Sequence, residues 1–161
     1  METTSSSAGA LQLLLLLGFL IPAILFLISQ QNTLKAVQPE NRLMHPGLVW
    51  LQLIPLFSNI WQFFVVIKIA GSIQKQLAAR HANSIFGADA LIAEGAPQRP
   101  TQGIGIAYGV LYTIVTLFAL GKMSEGFIAG LFAWGMIICW IIYWVKLVRF
   151  KNKLKRGEVV G

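Results

Sequence analysis

Charge is scarce in this chain. Only 12% of its 161 residues are Asp, Glu, Lys or Arg, about half the share of an ordinary soluble domain. Acidic side chains number six and histidines two. A single cysteine, Cys139, excludes an intrachain disulfide. Residues 1–8 hold no Lys or Arg, so the basic start of a secretory signal is missing. No Ala-x-Ala follows the first apolar run either, and that run is read as a retained helix.

Apolar residues are abundant, at 56% of the sequence. A water-soluble domain of this size could not bury so much apolar surface and still cover itself with polar groups. Disorder is excluded too, because disordered chains are poor in apolar residues. The composition describes an integral membrane protein. Four stretches approach the roughly 20 apolar residues that a bilayer-spanning helix needs. They are 11–28, 48–67, 103–120 and 126–145. Each run is continuous rather than alternating, which argues for helices and against a barrel. The expectation is an all-α, polytopic, four-transmembrane-helix bundle in one domain.

The connections set its topology. Residues 29–47 form a loop with Pro39 and Pro46, and 121–125 form a tight turn that makes the last two spans antiparallel neighbours. In the 68–102 loop, Ile69, Ile73 and Leu77 recur at helical spacing and predict a continuation of the second span to about Arg80. Gly87, Gly95, Pro97 and Pro100 then read as irregular chain. With four spans, one side carries Lys68, Lys75, Arg80, Arg99, Lys146, Arg149, Lys151, Lys153, Lys155 and Arg156. The other carries Lys35, Arg42 and Lys122. That ten-to-three split predicts that both termini and the central loop are cytoplasmic. Loss of the first span would leave three helices and an outside N-terminus.

The spans also lack reactive groups. None holds an ionisable side chain well inside it; Lys68, Lys146 and Glu125 lie at ends. Proton-coupled carriers and retinal proteins need such a group at membrane depth. His45 and His81 fall on opposite sides, and Cys139 is alone, so no metal or cofactor is expected. No Ser-His-Asp set, paired carboxylates or phosphate loop is present, and Gly103-Ile-Gly105 precedes a membrane helix rather than following a strand. The chain is expected not to be an enzyme.

Polar residues inside the second span are the main candidate site. Gln52, Pro55, Asn59 and Gln62 recur at steps of three, four and three, with Ser58 beside them. On a helix they share one face, which should turn away from lipid. Pro55 would kink that helix. The face is either an interhelical clasp or the lining of a pore or small-molecule cavity. Asn59, about 16 Å into the span, should find Thr113, Thr116 or Tyr112 inside the bundle. Gln62 should lie one turn further along the same side. Gly105, Gly109 and Thr113 form one small-residue face, and Gly126 with Gly130 another. Such faces serve internal packing or a homo- or hetero-oligomer interface. Trp140, Tyr143 and Trp144 suit the headgroup level. Beyond them Lys146, Arg149, Lys151, Lys153, Lys155 and Arg156 suit anionic lipid rather than nucleic acid.

The stretch Leu53-Ile-Pro-Leu-Phe-Ser-Asn-Ile-Trp-Gln-Phe resembles a helix signature of small bacterial multi-helix membrane domains of unknown function. The resemblance covers about 20 residues. It implies a bacterial inner-membrane setting and transfers no catalytic residue. The leading expectation is a non-enzymatic structural or accessory subunit. The alternative is a homo-oligomeric channel or passive carrier lined by the polar face of the second span.

Overall fold

The computed structural model describes residues 3–54, 56–82, 99–121 and 126–156. All regular structure among them is helical. Four long helices, α1 (Thr3–Ala36), α2 (Phe57–Ala82), α3 (Gln102–Leu120) and α4 (Phe127–Arg156), are joined in part by 3-10 turns at Pro39–Asn41 and Pro46–Leu53. The expectations for Pro55, Gly87, Gly95, Pro97, Lys122, Glu125 and the His81 side chain fall outside the described residues.

Contacting pairs give the helix directions. α3 runs against α2: Ser58 meets Tyr112, Gln62 meets Gly109, and Val66 crowds Gly105. α4 runs with α2, because Tyr143 borders the same Gly105 while Arg80 Nη2 donates to the Leu154 carbonyl at 2.5 Å. α1 also runs with α4. Gly18 and Pro22 share a cavity wall with Met136 and Ile137. Phe26 packs on Trp140 and Tyr143, and Trp144 Nε1 donates to Ser29 Oγ at 2.8 Å. Three helices are therefore parallel and α3 alone is antiparallel.

Parallel α1 and α2 need a return segment, and prolines build it. Gln38, His45 and Ile54 each precede a proline, and each is extended, with ψ of 145°, 134° and 114°. Proline ring atoms exclude the α region for the residue before them. The chain thus leaves α1 and retraces both helices. Gln38 N donates to Gln76 Oε1 at 2.8 Å and Leu43 N to Ser72 Oγ at 2.9 Å. Further along, Trp50 Nε1 donates to Gln31 Oε1, and Gln52 Nε2 to Gln30 Oε1. Leu56 then takes a left-handed φ of 64° and α2 begins.

This corrects the second expected span. Residues 48–67 are not one helix but a 3-10 segment, a break and the first eleven residues of α2. Ile54, extended before its proline, cannot continue a helix. Among the described residues two helices, α3 and α4, are long and apolar enough to cross a membrane, where four were expected. Only 11% and 6% of their most apolar stretches are buried within the chain. The expected helical continuation to about Arg80 is present within α2.

The core gathers around the second half of α2. Val65, Val66, Ile69 and Ile73 are buried there with Leu34, Val37, Val49, Tyr143 and Leu147. Tyr143 is fully buried, so its ring is interior packing rather than part of a headgroup belt, while Trp140 and Trp144 are half-buried and stand edge-on to Phe26. Directions and contacts also sort the charges. Every described Lys and Arg, from Lys35 and Arg42 to Arg156, lies level with or beyond Gly105 and Tyr143, toward the end of α4. The start of α1 lies toward the other end of the fold.

Candidate functional site

A cavity of about 420 Å³ opens between α1, the end of the return segment, the start of α2, and α3 and α4. Most of its wall is apolar: Pro22, Ala23, Phe26 and Leu27 from α1, Leu53, and Met136, Ile137 and Trp140 from α4. One side is polar. Gln52, Ser58, Gln62, Tyr108 and Tyr112 line it. Three of the five residues expected on the polar face of the second span thus meet at one cavity.

Local structure holds each of them. Gln62 sits one turn into α2, is only 3% exposed, and donates through Nε2 to the Gly109 carbonyl at 3.2 Å. Gly109 permits this approach because it has no side chain; a Cβ there would meet Phe63 at 2.8 Å. Both hydrogen bonds of the Gln62 amide use Nε2, so Oε1 accepts none among the described residues. Ser58 Oγ pairs with Tyr112 OH at 3.3 Å. Gln52 Nε2 donates to Gln30 Oε1 at 2.6 Å and to the Val49 carbonyl. Pro22 has no N–H, so the Gly18 carbonyl, on the same cavity wall, is released from its helical bond.

Asn59 is placed differently from expectation. It occupies the first turn of α2, and its Oδ1 is buried without a partner among the described residues. Thr113 bonds back to Gly109 and Thr116 to Tyr112, leaving Tyr112 to Ser58. Gly105 and Gly109 serve internal packing, chiefly on α2 through Val66 and Phe63. Gly126 and Gly130 are different: a Cβ at either meets nothing within 4 Å. The basic residues Lys146, Arg149, Lys153, Lys155 and Arg156 are exposed along the last turns of α4, and Lys151 is half-buried.

Sequence reasoning missed a second polar cluster, around Ser72 and Gln76, both buried. Their spacing of four puts them on one face of α2 together with Ile69 and Ile73, and this was the available signal. Gln30 was also missed, although it is fully packed and holds Gln52. Among the described residues no group of three or more His, Cys, Asp or Glu could hold a metal.

Fold and site together define an all-helical protein with two helices suited to crossing a bilayer and a half-polar cavity between its helices. No known protein family matches the chain, and no curated protein or solved structure matches it.

Proposed function

We propose that the chain is a non-enzymatic integral membrane protein acting as an accessory subunit through helix packing, in a bacterial inner membrane. The observation that carries this reading is the outward surface of the α3–α4 hairpin. Leu117, Leu120, Phe127, Ile128, Leu131 and Trp134 are exposed there, with Gly126 and Gly130 open among them. Open glycines let another helix backbone approach closely, so the hairpin suits an oligomer partner. In native lipid the wild type should migrate as a complex. Gly130→Leu should return it to a monomer whose helical circular dichroism is unchanged. A strictly monomeric wild type would overturn the subunit reading.

The membrane arrangement we propose has three crossings and one re-entrant hairpin. α3 is about 28 Å long, close to the hydrocarbon thickness. The apolar part of α1 runs alongside α4. The return segment enters from the basic end, and the chain reverses between it and α2. Twelve of the chain's thirteen Lys and Arg then lie on one side, leaving only Lys122, which connects α3 and α4. The positive-inside rule makes that side cytoplasmic and puts the start of α1 outside. There Lys146, Arg149, Lys151, Lys153, Lys155 and Arg156 face anionic headgroups. In a Cys139→Ala background, Gln38→Cys should resist an impermeant thiol reagent added outside cells, and Gly121→Cys should react. Labelling of Gln38→Cys from outside would restore the four-span topology.

The alternative, a channel along the polar face, finds less support within one subunit. Past Gln62 the layer formed by Val65, Val66, Ile69 and Tyr143 is fully packed. Gln52, Ser58 and Gln62 end in the cavity instead of continuing through the chain.

A further inference from the structure

We infer that the cavity is a binding site for a neutral, membrane-soluble long-chain alcohol, its hydroxyl seated between Gln62 and the Ser58–Tyr112 pair. This rests on the membrane reading above but goes beyond it. The volume of about 420 Å³ falls within the range of small-molecule sites. Gly18 and Leu53 are exposed at its rim, on the part of the fold away from the basic end, so a ligand enters from the acyl layer.

The polar atoms select the head group. None of the lining residues carries a charge at neutral pH. A carboxylate, phosphate or ammonium would lose its hydration with no counter-charge to replace it. Gln62 Oε1 is an acceptor with no donor among the described residues. The Ser58 and Tyr112 hydroxyls share one hydrogen bond, whichever of the two donates. Two O–H groups with one shared bond leave one O–H free to donate. The cavity therefore asks its ligand both to give and to take a hydrogen bond. A hydroxyl does both. A ketone or quinone only accepts and would cover the Gln62 oxygen without offering it a donor, which is costly. The apolar wall of Pro22, Phe26, Met136 and Trp140 then takes the chain.

The test is equilibrium binding of radiolabelled farnesol, a long-chain isoprenoid alcohol, to the full chain in nanodiscs. Its hydrocarbon counterpart farnesene and the carboxylate palmitate serve as competitors. Farnesol should bind saturably, and both competitors should be at least tenfold weaker. Met136→Trp should fill the cavity and abolish saturable binding. Gln62→Leu should bring farnesol down to the level of farnesene. Helical circular dichroism and melting show whether each variant is folded, and Ile137→Trp replaces Met136→Trp if that variant fails. Resistance to alkaline carbonate extraction reads membrane insertion separately. Non-saturable farnesol uptake, equal binding of farnesene, or wild-type binding by a folded cavity-filled variant would overturn the proposal. Any of these would mean that the cavity holds only water or acyl chains.

Discussion

Replacing Gly105 by valine should lower the melting temperature of the helix assembly sharply. A Cβ at this position would stand 2.5 Å from Val66 Cγ1, 3.1 Å from Val66 Cγ2 and 3.0 Å from Tyr143 Cε2. Distances this short force something to move. Val66 has no flexible end to withdraw, and Tyr143 is fully enclosed by Phe26, Tyr108 and the core. Overpacking of this kind costs roughly 1–3 kcal/mol and sometimes more. Here two helices must separate from α3 at once, so the upper end of that range applies. Separation would also stretch the bond from Gln62 to the Gly109 carbonyl, one turn along α3. Thermal melting in detergent is the measurement. The same change at Gly130, where nothing lies within 4 Å, sets the baseline. Equal melting of Gly105→Val and Gly130→Val would mean that α3 does not pack as described.

The contrast between these glycines shows what the sequence could and could not reveal. Spacing alone gave Gly105–Gly109 and Gly126–Gly130 the same standing. Only the neighbours separate them, and neighbours depend on which helices run parallel. That in turn was hidden by the prolines. Pro55 was read as a kink within one span, because a helix can tolerate a proline when its neighbours satisfy the freed carbonyl. Three prolines at 39, 46 and 55 carry a stronger message. Each forces its predecessor into extended chain, and together they specify a return segment instead of a loop followed by a span. Helical class, the continuation of α2 to Arg80 and the convergence of Gln52, Ser58 and Gln62 were legible, since they follow from hydropathy and helical period. The partner of Asn59 was not. Its assigned depth assumed an uninterrupted helix from residue 48, and the break resets that depth to the first turn of α2. Tyr143 was misread for a related reason. An aromatic beside a basic tail fits a headgroup belt by sequence, but α1 running parallel to α4 brings Phe26 against it and closes the space.

The return segment itself should come loose when Gln76 becomes leucine. Gln76 is only 1% exposed, and its Oε1 accepts from the Gln38 backbone N at 2.8 Å and from Asn41 Nδ2 at 3.2 Å. Leucine has a similar volume, so the loss is confined largely to hydrogen bonds. A buried or half-buried donor left without its acceptor costs roughly 1–3 kcal/mol. With two donors involved, the expected loss is about 2 kcal/mol, because Asn41 is close enough to the surface to recover a bond to water. Ser72→Ala removes the companion clasp to the Leu43 N–H and should cost about 1 kcal/mol. Both groups hold the same strand of chain against α2, so the double variant should lose less than the sum once the first clasp has already released it. Hydrogen exchange locates the effect. The Gln38 amide should lose protection in Gln76→Leu and the Leu43 amide in Ser72→Ala, while Val65 and Val66 in the packed layer stay protected. A Gln76→Leu protein with wild-type melting and an unchanged Gln38 amide would show that the prolines alone hold the segment in place.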